Sequence, residues 1–166
     1  MKKSLLTHLF AVTAVVALKA QIPMAGPVEE ESTEQVAKAI QKSVIIQEFA
    51  KNKDRLAVAG IIREDGEDEN KIFVALFKKG VLDPSFGSPA KNGVVITYIG
   101  KNPQVETIQL HNEIIVTGLV ELPQTEKRRF RKNRIIHKTF RFTNTYSLEG
   151  VRKKRTFTLK DDAAAS

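Results

Sequence analysis

The 166-residue chain has no cysteine and no tryptophan, and only three histidines, His8, His111 and His137. The first absence excludes disulfide frameworks and thiolate metal sites. No two histidines share the spacing of a zinc-binding helix, so a zincin or His-rich site is excluded as well. There is no apolar run of the ~20 residues that a spanning helix needs. Gly-rich phosphate loops, a Gly-x-Ser-x-Gly elbow and paired catalytic motifs are missing. No catalytic residue, cofactor or metal ligand is therefore assigned, and the chain reads as a non-enzyme. A hydrolase would need a site assembled only in space. With 9 Gly, 6 Pro, 42% hydrophobic and 28% charged residues, the composition is too ordinary for a collagenous or wholly disordered chain. The length suits one modest domain.

Acidic charge is scarce at both ends. Residues 1–20 hold three bases and no acid, residues 21–123 hold 11 bases and 15 acids, and residues 124–166 hold 13 bases and four acids. The net +8 therefore belongs to the termini.

Lys2 and Lys3 followed by the apolar run Leu5 to Leu18 have the form of a secretory signal, with Ala17 or Ala20 near the cut. Residues 1–20 are expected to be that signal, which places the protein outside the cell or in the periplasm and envelope. Residues 21–43 follow as a linker and a short helix. Pro23, Pro27 and Glu29 to Glu31 read as linker. Ser32 and Gln35 form a capping-box pattern, with Val36 and Ile40 on one face, which predicts a helix from Thr33 to Lys42.

From residue 44 the periodicity changes. Short β-rich runs at 44–47, 55–62, 71–77, 93–98, 105–110 and 113–120 are separated by turn formers such as Lys53-Asp54, Lys79-Gly80 and His111-Asn112. Strands so close together predict antiparallel meanders, because parallel pairs need long crossovers. The run ending in Gly60-Ile61-Ile62 matches the run ending in Gly118-Leu119-Val120, and the two glycines stand 58 positions apart. Ile46-Gln47 finds its counterpart in Ile108-Gln109. The acidic stretch Glu64 to Asn70 lacks the spacing of a calcium loop and reads as a solvated hairpin tip.

Between the two copies lies Gly80-Val81-Leu82-Asp83-Pro84-Ser85-Phe86-Gly87, followed by Asn92-Gly93 and a β-rich run. This phrase, with the period of about sixty, resembles the delta-60 repeat family of bacterial secreted proteins over residues 44–123. The turn Asp-Gly-Lys of that family is replaced here by Lys53-Asp54-Arg55 and His111-Asn112-Glu113. The resemblance implies an all-β fold of antiparallel meanders, like one to two β-propeller blades. The strands group as an incomplete blade over 44–77 and a fuller one from 93 onward. Two blades cannot close a propeller of 4 to 8, so the expectation is a short relative closed by its own C-terminal strands, a homo-oligomer or a decayed gene product. Gly60, Gly80, Leu82, Asp83, Pro84, Ser85, Phe86, Gly87, Gly93 and Gly118 take structural roles. Gly80 supplies a turn, Asp83 an Asx turn, Phe86 a plug, and Gly60 and Gly118 mark bulges.

Residues 124–166 form a basic β-hairpin region. Lys127, Arg128, Arg129, Arg131, Lys132 and Arg134 open it, and Arg152, Lys153, Lys154 and Arg155 repeat the charge. Between and after them, Thr139 to Thr143 and Thr156 to Leu159 alternate apolar and polar residues, with Ser147 to Gly150 as their turn. Asp161 to Ser166 reads as a frayed tail. Such bases either solvate edge strands or bind a polyanion such as an acidic glycan, lipopolysaccharide, anionic lipid or nucleic acid. No nucleic-acid-binding signature accompanies them. The expected function is a secreted or envelope-associated interaction or scaffold module, with polyanion binding by the basic region as the alternative.

Overall fold

The computed structural model describes residues 27–63, 71–87, 92–127, 132 and 134–160. The signal, the acidic stretch 64–70 and the tail 161–166 lie outside them. The described residues are mostly β, in two antiparallel sheets with one short helix.

Helix α1 spans Pro27–Ile40, so it starts earlier and ends sooner than the capping pattern predicts. Of the residues read as linker, Pro27 and Glu29 to Glu31 are a helix start, and Pro23 lies outside the described residues. Proline suits the first helical position, and an acidic sequence favours the first turn, where the helix dipole is positive. Ser32 is thus not a cap but lies within the helix, buried.

The first sheet holds β1 (Ser43–Asn52), β2 (Arg55–Arg63), β3 (Lys71–Lys78), β4 (Val81–Leu82) and β5 (Val94–Tyr98). β4 and β5 lie in line along one edge of β3. Leu76 spans the gap between them: its N–H donates to the Gly93 carbonyl at 3.2 Å, and its carbonyl accepts the Asp83 N–H at 2.8 Å. Residues 83–93 are therefore an excursion from a single fourth strand. The boundary between sheets falls after β5, and the first unit is complete rather than cut off at residue 77.

The second sheet is a plain meander of β6 (Lys101–Leu110), β7 (Ile114–Glu126), β8 (Arg134–Tyr146) and β9 (Arg152–Leu159). It repeats the first in detail. Gly60 pairs with Ile46 beside a bulge in β1 and with Phe73 on β3. Gly118 pairs with Val105 beside a bulge in β6 and with Phe142 on β8. The counterpart of Ile46-Gln47 is therefore Val105-Glu106, not Ile108-Gln109. Hydrophobic pattern alone could not show where the bulge resets the register. A β-carbon on Gly60 would stand 1.9 Å from the Ile45 carbonyl oxygen, and one on Gly118 2.0 Å from that of Gln104. Only glycine admits the bulged backbone there.

Equivalent faces of the two sheets point the same way. Val58, Ile62, Phe73 and Phe77 of the first sheet pack under α1 with Val36. Their counterparts Val116, Val120, Phe142 and Tyr146 pack against the other face of the first sheet, where Ala57, Ala59, Ile72, Val74 and Leu76 meet them. The units stack head to tail, and α1 occupies against the first sheet the place that the first sheet occupies against the second. β6 crosses this interface beneath β1, β2 and β3. At the far end, the second sheet turns a row of four threonines outward. Thr107, Thr117, Thr143 and Thr156 are cross-strand partners in sequence. The same row of the first sheet reads Glu48, Ala59, Val74 and Val95. Terminal repeats need such a polar outer face.

Candidate polyanion-binding surface

The motif residues fall where the repeat needs them. Gly80 has φ +82°, a turn conformation open to glycine at no steric cost. Leu82 ends β4. In the excursion, Asp83 Oδ1 accepts the Ser85 N–H at 3.0 Å and the Ser85 hydroxyl at 2.6 Å, closing the Asx turn around exposed Pro84. Burial pushes the Asp83 carboxyl up, but these bonds with Lys78 and Arg55 outweigh it and hold the carboxyl below its ordinary value. The turn delivers Phe86, fully buried, into the core between the sheets. Gly87 N–H then donates to the Glu149 carbonyl at 2.8 Å, fastening the excursion to the β8–β9 turn. Gly93 returns the chain to β5.

The basic residues separate into two groups. Arg128, Arg129 and Arg131 lie outside the described residues. Lys127, Lys132 and Arg134 are exposed at the end of a two-stranded ribbon, where Glu126 pairs with Arg134. Arg152, Lys153 and Lys154 are exposed on β9, whose first residue pairs with Tyr146 at the opposite end of β8. The length of β8, roughly 40 Å, separates Arg134 from Tyr146. The seven described residues of the ten do not form one patch.

Arg155 has a different duty. Its Nε donates to Asn144 Oδ1 at 3.1 Å and its Nη2 to the Tyr98 carbonyl at 2.9 Å. Its guanidinium lies 5.8 Å from the Phe157 ring centroid. Burial, then the charge of Arg152, push its pKa below the usual value. It ties the β9 edge to the end of β5 and is a structural pin. Nearby, the buried Tyr146 hydroxyl lies 2.9 Å from Thr97 Oγ1. Burial pushes that phenol up, against the opposing pull of Thr97, Arg155, Arg152 and Asn144.

The ion pairs described on the second sheet are Arg141 with Glu106 at 2.9 Å and Lys153 with Glu113 at 4.0 Å. The former is close without hydrogen-bond alignment, since Glu106 Oε2 has no hydrogen-bond partner. Sequence reasoning missed Lys138, Phe157 and Leu159 as surface residues. Lys138 shares the Phe140 face of β8, and Phe157 and Leu159 remain 38% and 42% exposed on β9. The period-two spacing of Phe157 and Leu159 is equally that of a core-facing strand, and only the extent of the covering sheet distinguishes the two cases.

Among the described residues, no helix is long and apolar enough to cross a membrane. No protein-family model, curated protein or solved structure matches the chain.

Proposed function

We propose that this chain is a non-enzymatic β-repeat interaction module of the secreted or envelope class, and that exposed bases of its second sheet, on the ribbon or on β9, hold a polyanionic partner. The observation that carries this reading is the set of exposed bases on the ribbon and on β9. The head-to-tail stack of four-stranded units supports kinship with delta-60 repeat proteins and their propeller-like blades. Closure of both outer faces, by α1 and by the threonine row, lets two units stand without a ring. A monomer is the simpler consequence, with a homo-oligomer as the other outcome of a solution mass measurement.

The test is retention on heparin against salt. Replacing Lys132, Arg134 and Lys138 by Gln, or Lys153 and Lys154 by Gln, should weaken retention and flatten its salt dependence through lost counterion release. Unchanged retention in both variants overturns the reading. The envelope assignment is tested separately: the mature N-terminus should fall between Leu18 and Gly26, and an intact Met1 in a cytosolic fraction would refute it.

A further inference from the structure

The second sheet is larger than the part of the first that covers it. Val120 and Phe142 face the first sheet and are fully buried, but the same face continues past them. Cross-strand pairing places Phe140 beside Leu159 and Phe142 beside Phe157, and puts Gln124 beside Ile136 and Leu122 beside Lys138. Phe140, Leu122 and Ile136 are half-buried, and Phe157 and Leu159 lie open at the β9 edge. Along β8 this face alternates with bases: Arg134, Ile136, Lys138, Phe140.

Resting on the polyanion reading above, we infer that this overhang docks the protein onto an anionic lipid surface. A soluble sulfated or phosphorylated chain would use the bases but leave Leu159, Ile136 and Phe157 in water. A lipid headgroup layer uses both. Lys138 and Arg134 meet phosphates, and the apolar side chains between them enter the boundary between headgroups and acyl chains, where binding grows with the apolar area buried. Lys138 stands on the same strand face as its two apolar neighbours, so phosphate and acyl boundary are met at one place.

The experiment uses the full chain and vesicles of phosphatidylcholine with or without phosphatidylglycerol. Because the protein has no tryptophan, Leu159→Trp supplies a single reporter. Its emission should shift to the blue on phosphatidylglycerol vesicles, and should not move with phosphatidylcholine alone or with heparin. Emission that is already blue in buffer and unmoved by vesicles means that the chain itself or a second copy covers the strip, and overturns the inference. The double variant Phe157→Ser, Leu159→Ser should weaken vesicle binding about tenfold while heparin retention is unchanged. Vesicle binding that survives this variant also overturns it. Heparin binding without vesicle binding sinks the lipid assignment alone, whereas the absence of both sinks the polyanion reading beneath it.

Discussion

Gln47, at the bulge of β1, accepts the backbone N–H of Val105 through its Oε1 at 2.9 Å, beside the equivalent bulge of β6. Gln47 thereby supplies an acceptor to a backbone donor on β6, the edge strand of the second sheet. Asn52 repeats the link further on, its Nδ2 donating to the Leu110 carbonyl at 3.2 Å. The repeat is thus sewn to its neighbour at a constant offset of 58 residues.

Gln47→Ala leaves the Val105 N–H without that acceptor. It should lower stability by about 1–2 kcal/mol, measured as a shift of the urea midpoint, with Gln47→Glu losing less because it keeps an acceptor.

The two bulge glycines should be the least replaceable. Gly60→Ala and Gly118→Ala force backbone apart and should each cost about 3 kcal/mol or more. Gly80→Ala meets nothing within 4 Å and bears only its positive φ, so a cost of roughly 1–2 kcal/mol is expected. The ranking is read from chemical denaturation of the three variants.

Phe86→Ala empties a fully buried site between the sheets and should cost about 3–5 kcal/mol. Amide exchange at Gly87 should quicken more than exchange within β2, since the phenyl ring holds the excursion against the β8–β9 turn.

Tyr146 links stability to alkaline pH. Its folded pKa is raised above the ordinary phenol value, so between the unfolded and folded values the native state binds more protons than the unfolded one. Stability is complete below the unfolded pKa and falls as pH rises through the folded one. Urea midpoints followed from neutral into alkaline pH should decline at the top of the range, and the phenol's share of that decline should vanish in Tyr146→Phe.

Arg155 should divide from its neighbours. Arg155→Lys cannot keep both bonds and should cost about 1–2 kcal/mol with little change in heparin retention. Replacing Lys153 and Lys154 by Gln should do the reverse, moving stability by no more than ~0.5 kcal/mol.

The strands, the turns and the correspondence of Gly60 to Gly118 were legible in the sequence because period-two patterning and turn chemistry are local. The position of α1 was not, since three glutamates after a proline suit a linker and a helix start equally well. Nor was the allegiance of β5, whose place beside β3 depends on a detour of eleven residues that returns to the same strand edge. Among the surface residues, Lys153 and Lys154 were recognisable from charge alone. Arg155, one step on, has the same chemistry but turns inward, and only the register with Asn144 reveals it.

The unlike ends of the stack also dictate how such an array can lengthen. A further unit appended after β9 would meet a row of hydroxyls where the interior interface has alanine and valine. A unit spliced in at Ile99-Gly100, between β5 and β6, would meet matching surfaces on both sides. Growth of this architecture is therefore by insertion from within, and its two terminal pieces travel outward unchanged.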